Sequence, residues 1–509
     1  MSYSPALGSA FNETKMRSQH LNSLSGMCSF CTAECPGTCE IGLSAVLGAR
    51  SVYPTNTGNN QVASEKIYPV DYSHFNINGR VFGAQGIEPD MEKATVFNVD
   101  LSADYGTIHP VKQTMPIILP ALIKLNWKDY FGGAAMAGVS CVIGEDAIMK
   151  ASDTVMENGK LVEAPWLGEI FESFRKYDRG YGQIVLQVNI EDDMKGVGEY
   201  AIRKHGCNAI EFKFGQSAKG TQPVAPLANY EAALKAKKAG IVVHPDPEDP
   251  DIVAKHADGC APNFYTYSRL PQWTEEYLVS HIDELRDMGM ENVYFKMAGY
   301  DPEDLEKVLR IASAARVDMV TFDGAGGGSG YSPCRMMNEW GLPAIMMGAI
   351  LVPMCDRLAH EGFEIPAIAL TGGFSTEDQV FKALALGAPY ITHIGLCRSA
   401  MAAATSAQLM GEMIKAGNVP AHIKKYGSTV EEIFKDLPDL RALYGKSAND
   451  FSPGAIGVYS YLNRIANGLR HFCALNRKFD IDYVDQSDVI PLTDAAYDIL
   501  GITEDTYID

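Results

Sequence analysis

The sequence predicts an α/β protein built on a (β/α)8 TIM barrel, preceded by an irregular Cys-rich segment and followed by a helical extension. Three observations carry this. Short apolar, β-branched runs alternate with helical stretches from about residue 113 to 415. Eight such runs can be counted, and the chain of 509 residues is long enough to hold a barrel with insertions. The last three runs each lead into a glycine-rich polar stretch, and it is at the C-terminal ends of barrel strands that active-site loops lie.

The elements follow in order. Residues 1–105 read as an irregular N-terminal domain, 106–415 as the barrel with an insertion at 217–290, and 416–509 as a helical C-terminal extension. The predicted strands are Met115–Leu119, Ser140–Ile143, Gln183–Val188, Ala209–Phe214, Val293–Met297, Met319–Phe322, Ala367–Leu370 and Tyr390–Ile394. Helix starts are marked by Asp301-Pro-Glu-Asp and Ser375-Thr-Glu-Asp, where side-chain oxygens can cap the first turn. Gly387 is expected to stop the second of these helices. In the insertion, the acidic, proline-rich stretch Pro245–Asp251 reads as solvated. Arg269 and Trp273 either line a substrate entrance or simply pack. His74 reads as a hydrogen-bonded core or surface residue.

Four of the eleven cysteines, Cys28, Cys31, Cys35 and Cys39, fall within twelve residues in a C-x2-C-x3-C-x3-C spacing. A long chain with its other cysteines scattered is not a disulfide scaffold. Four closely spaced thiolates suit a [4Fe–4S] cluster; structural zinc and redox-switch thiols are the alternatives. Cys141, Cys207, Cys334, Cys355 and Cys473 read as small buried hydrophobes.

The strand ends carry the remaining chemistry. Asp323-Gly-Ala-Gly-Gly-Gly-Ser-Gly follows the sixth strand, with Gly324, Gly326, Gly327 and Gly328 leaving backbone N–H groups open to a ligand. Gly372 and Gly373 follow the seventh strand, and Gly395 and Arg398 the eighth, where barrels of this kind bind phosphate. Lys296 lies within an apolar strand, where a cation is costly unless paired. It is read as a cation beside a cofactor, or else as half of a structural ion pair. Gln187 and Asn189 end the third strand, Gly144 and Glu145 the second. The fourth strand leads through Lys213 into Gln216 and Lys219.

These strings carry a resemblance. Glu211-Phe-Lys-Phe-Gly-Gln-Ser-Ala-Lys-Gly, the Asp323 glycine loop, Thr371-Gly-Gly-Phe-Ser, Ala383-Leu-Ala-Leu-Gly-Ala and Gly144-Glu145 resemble motifs of the FMN-binding barrel of glutamate synthase. The tail from Arg477 to Val484 resembles that domain's post-barrel segment. The likeness spans roughly residues 110–490 and is nearest to stand-alone FMN-binding glutamate-synthase-like proteins with an N-terminal Cys-rich loop. It implies FMN, with the phosphate on Gly372, Gly373 and Gly395 and the Gly324–Gly328 loop beside the flavin. It places Lys296 near the flavin's pyrimidine edge, where a cation stabilises the anionic reduced form. It has Gln216 and Lys219 hold FMN and the carboxylate of a 2-oxo acid.

The departures shape the expected function. About 105 residues precede the barrel, too few for a glutaminase domain. Only Cys397 lies where the family's cluster cysteines follow the last strand, and Gly-Thr-Gln-Pro-Val follows Lys219 in place of Gly-Glu-Gly-Gly. The expectation is an FMN- and iron–sulfur-dependent oxidoreductase moving hydride to or from the α-carbon of an amino, imino or 2-oxo acid. Alternatives are a dehydrogenase of another amine or hydroxy acid, or an electron-transfer subunit without a substrate of its own. Expected partners are a ferredoxin or an NAD(P)H-linked reductase chain and a separate ammonia-supplying subunit; homo-oligomerisation is left open. A net charge of −20 argues against nucleic acid and anionic membrane. With no apolar run of spanning length and no apolar leader, the expected compartment is the cytoplasm.

Overall fold

Side chains alternate across a strand, and here the alternation sorts apolar residues into two layers. Ile118, Val142, Val185, Ala209, Tyr294, Met319 and Ala369 form one buried cluster. Their chain neighbours, among them Ile117, Cys141, Ile184, Ile210, Val293, Val320 and Ile368, belong to a larger cluster shared with the helices. A sheet with helices outside and an apolar filling inside is a barrel. The computed structural model describes residues 68–123, 126–215, 225–267, 269–325 and 340–501.

All eight predicted strands are present: β1 (Ile117–Leu122), β2 (Ser140–Ile143), β3 (Ile184–Val188), β4 (Ala209–Lys213), β5 (Asn292–Ala298), β6 (Met319–Asp323), β7 (Ala367–Thr371) and β8 (Ile391–Gly395). They close in sequence order into a parallel barrel, with β8 returning to β1. Around it lie α1 (Trp127–Ala137), α2 (Pro165–Arg175), α3 (Val197–His205), α4 (Glu275–Asp287), α5 (Pro302–Ala314), α6 (Ala344–His360), α7 (Glu377–Gly387) and α8 (Arg398–Lys415). Asp301 caps α5 by accepting from Glu303 N at 2.9 Å. The cap of α7 falls at Thr376, in a reciprocal box with Gln379. Gly387 is the last residue of α7, and a Cβ there would lie 2.5 Å from Ile391 Cβ. The helix thus stops at Gly387 as expected, and the glycine is also a close-approach position where helix meets strand.

The N-terminal end of the barrel is plugged by the turn around Tyr105. Its hydroxyl bonds Ser140 Oγ at 2.7 Å and Tyr294 OH at 2.9 Å inside the barrel. His393 packs edge-on to the Tyr105 ring, and burial pushes its imidazole down to about 4. It is a neutral filler at neutral pH. Beyond the barrel, α9 (Pro453–Leu475) lies along α1 and α8. The approach is close: a Cβ on Gly457 would sit 2.2 Å from Ala407 Cβ. The extension is thus helical as expected, apart from the strand Val489–Pro491, which pairs antiparallel with Phe75–Ile77. His74, just before, accepts from Asp71 N at 3.1 Å in a cap, as a hydrogen-bonded surface residue.

Among the described residues, the insertion carries a three-stranded sheet and two short helices ahead of α4, which itself falls within the 217–290 span. Its acidic stretch is exposed, with Lys237 bridging Asp246 and Glu248 at 2.5 and 2.8 Å. Cys141, Cys207, Cys355 and Cys473 are buried as expected; Cys334 lies outside the described residues. Among the described residues, no helix is long and apolar enough to cross a membrane.

Candidate active site

The inward side chains change character along the strands. The layer of Val185, Ala209, Tyr294 and Met319 is apolar apart from the tyrosine hydroxyl. Two residues further, the same face carries Gln187, Glu211, Lys296 and Thr321, and beyond them Lys213 and Asp323. All six are buried. The C-terminal mouth of the barrel is therefore lined by charges that the fold has desolvated, an arrangement that clusters at functional sites.

The charges are paired. Lys213 forms an ion pair with Glu145, which follows β2. Gln187 donates its amide N–H to Glu211 and accepts from Glu145 N at 3.4 Å. One amide thus ties the ends of β2, β3 and β4 together. Lys296 sits beside Lys213 in the β4–β5 register and beside Thr321 in β5–β6. Burial alone would pull its ammonium down, but the negative charges of Asp323 and Glu211, helped by Glu145, outweigh it and hold its proton affinity above that of an ordinary lysine. Burial pushes the Glu211 carboxyl up, opposed by Lys296, Gln187 and Lys213. Lys296 faces the mouth, and strand carboxylates compensate its charge.

The glycines separate into two kinds. A Cβ at Gly324 would lie 2.6 Å from Ala344 N, and one at Gly395 2.8 Å from Pro120 Cγ. These positions need glycine for packing. Gly372 and Gly373 have φ of +128° and +100°, which L side chains rarely adopt. Nothing lies within 4 Å of a Cβ at Gly373, so its backbone borders open space. Beside it, α8 begins at Arg398 with Cys397 as its N-cap. The first amides of a helix have no intrahelical acceptor and suit an anion. An FMN phosphate fits this cradle of Gly373 and the first turn of α8.

Gln216, Lys219, Gly326, Gly327 and Gly328, and the metal candidates Cys28, Cys31, Cys35 and Cys39, lie outside the described residues. Among the described residues, no group of three His, Cys, Asp or Glu side chains could hold a metal ion. Arg269 and Trp273 pack: Arg269 pairs with Glu191 at 2.8 Å, and the Trp273 indole N–H donates to Asp193 at 2.8 Å. Glu211 was missed as a site residue. Its signal was available, since Ala209-Ile-Glu-Phe-Lys213 alternates and puts Glu211 on the face of Lys213.

Fold and site together define a closed parallel (β/α)8 barrel whose C-terminal mouth combines a buried lysine with a glycine-edged anion cradle. Residues 270–410 match the conserved region in glutamate synthase. The chain is 32% identical over 136 residues to the glutamate synthase large subunit-like protein YerD of Bacillus subtilis (strain 168). That match covers 26% of this chain and 24% of the relative, so it spans about a quarter of the curated protein. Over the matched residues this chain is glutamate-synthase-like. Among solved structures it is similar to the flavin-binding domain of baker's yeast flavocytochrome b2, at a TM-score of 0.46 and 16% identity over 86% of this chain and 81% of that one. It is also similar to (S)-mandelate dehydrogenase, at 0.41 and 13%, over 82% and 89%.

Proposed function

We propose that the chain is an FMN-dependent oxidoreductase acting at the α-carbon of an amino, imino or 2-oxo acid. The observation that carries this is Lys296, buried on β5 and held cationic by Asp323 and Glu211, across the mouth from the Gly373 cradle. The glutamate-synthase region matched at 270–410 supports it.

When bound, FMN supplies a two-electron hydride carrier. The chain's own residues do the rest. Gly373 and the first turn of α8 would hold the phosphate, with Arg398 beginning that turn. Lys296 would offer a fixed positive charge to the bound flavin, with no reorganisation needed at the moment of reaction. Gln187 and Lys213 are locked by Glu211 and Glu145, so they position rather than roam. Lys219 and Gln216 are proposed to clamp the substrate carboxylate, as the resemblance implies.

The iron–sulfur assignment of Cys28, Cys31, Cys35 and Cys39 rests on their spacing. With it go the electron source, a ferredoxin or an NAD(P)H-linked reductase, and a separate ammonia supply. A second reading, oxidation of another amine or a hydroxy acid, is favoured by Gly220-Thr-Gln-Pro-Val224 after Lys219.

Anaerobic purification with flavin, iron and zinc quantified is the test. FMN near one per chain with iron supports the reading with its cluster. FMN with zinc or no metal removes the cluster and leaves the flavin chemistry. Well-folded protein that takes up no FMN refutes the proposal. Ammonia-dependent turnover of a 2-oxo acid then separates the first reading from the second, and flavin reduction by a partner with no small-molecule acceptor would mark an electron-transfer subunit.

A further inference from the structure

Among the described residues, two buried polar atoms at the end of β3 have no hydrogen-bond partner: the side-chain nitrogen of Asn189 and Oδ1 of Asp192. Both residues are only 2% exposed. Leaving such a group unpaired costs about 1–3 kcal/mol, so native interiors keep few of them. Their other atoms are engaged. Asn189 Oδ1 accepts from Asp192 N at 2.9 Å, and Asp192 Oδ2 accepts from Asp146 N at 2.8 Å. Asp146 follows Glu145, the partner of Lys213. Asn189 lies two residues beyond Gln187 with its backbone still extended, at φ −97° and ψ −177°. Strand alternation therefore carries its side chain to the same side as Gln187, toward the mouth.

The surroundings select the kind of group that would fit. The open atom of Asp192 is an acceptor oxygen, Oδ1, and a second carboxylate would set its own acceptor oxygens against it, which disfavours a carboxylate. An ammonium would set its N–H groups against those of Asn189. A neutral group that accepts from Asn189 and donates to Asp192 satisfies both. Burial, reinforced by Asp146, pushes the Asp192 carboxyl up to about 7, which lowers the negative charge such a group would meet.

We propose that Asn189 and Asp192 form a subsite at the β2–β3 edge of the mouth that recognises a neutral donor–acceptor group of the substrate, a carboxamide or a hydroxyl. This deepens the oxidoreductase reading by naming what the far end of an amino-acid substrate carries, and it rests on that reading for the chemistry at the α-carbon.

The test is calorimetric titration of the purified full chain with L-glutamine, L-homoserine and L-glutamate, with bound flavin quantified in the same sample. Either neutral ligand is expected to bind at least ~10-fold more tightly than glutamate; glutamine leading marks a carboxamide, homoserine a hydroxyl. Asn189→Ser, which keeps a capping oxygen but shortens the donor, should lose that preference. Asp192→Asn should weaken the preferred ligand independently should the first variant not fold. Glutamate binding as well as either neutral ligand, no binding by any of the three, or a preference surviving both substitutions overturns the subsite. Protein lacking flavin refutes the oxidoreductase reading instead, and the calorimetric preference still decides the subsite.

Discussion

Asp193 is the anchor of the chain segment that returns from the insertion. Its carboxylate accepts from Trp273 Nε1 at 2.8 Å, Tyr277 OH at 2.8 Å and His281 Nε2 at 3.0 Å. Asp193→Ala strips all three donors of their acceptor. Tyr277 is 43% exposed, so its hydroxyl can turn to water; the indole and the imidazole are more enclosed. At about 1 kcal/mol for each bond lost, and more for the charged one, the expected cost is about 2–3 kcal/mol. With an unfolding entropy of ~2 cal/mol/K per residue, a chain of this size loses about 2–3 °C of melting temperature. The cost depends on pH. The hydrogen bond to Asp193 holds the His281 imidazolium above the ordinary histidine value, outweighing burial. Its contribution is therefore fully present below about pH 6.5, the unfolded value, and is lost as pH rises through the raised folded value. Melting curves of wild type and Asp193→Ala from about pH 5.5 to about pH 9 should show a gap that narrows upward. A gap that is constant or widens with pH refutes the reasoning, as does an NMR titration placing native His281 at or below about 6.5.

Other predictions follow from the mouth and its supports. Lys296→Met should retain FMN but lower turnover on an established substrate by more than ~10-fold, with a lowered flavin potential; unchanged turnover removes Lys296 from the chemistry. Lys213→Met removes the Lys213–Glu145 ion pair and should cost about 2–4 kcal/mol in thermal or denaturant unfolding, part of it recovered by adding Glu145→Gln. Additive losses would show that the two side chains do not act as a pair. Gly457→Leu forces side-chain atoms into Ala407 and should destabilise by at least ~2 kcal/mol, read as a lower melting temperature. An unchanged melt would mean that α9 shifts to make room.

The barrel was legible because strand identity is a local property. Five or six β-branched and apolar residues between helical runs are enough, and the predicted strand limits differ from the observed ones by only a few residues. Glu211 was legible too, through alternation. What local sequence does not carry is who stands opposite. Lys213 pairs with Glu145 across an intervening strand, a contact that exists only once the sheet curves into a barrel. At Gly324, Gly395 and Gly387 the sequence shows no sign of the neighbours Ala344, Pro120 and Ile391, which leave no room for a Cβ. Arg269 and Trp273 have the polarity of an entrance, but the acidic run after β3 claims both.

That last point changes how the acidic run itself should be understood. Glu191 and Asp193 serve donors from the returning insertion, while Asp192 between them turns to β2 through Asp146. A helix turn spreads consecutive side chains about 100° apart, so one short segment can brace two neighbours at once. The brace runs onward through Glu145 and Lys213 to the β4 end, where Glu211 and Lys296 meet. The ends of β2, β3 and β4 are thereby coupled by charged hydrogen bonds in a desolvated layer, where each bond counts for more than it would in water, and β5 and β6 join them through the charges of Lys296 and Asp323. The charge of the Lys296 ammonium is then balanced by carboxylates from β4, from β6 and from the end of β2 rather than by its own strand.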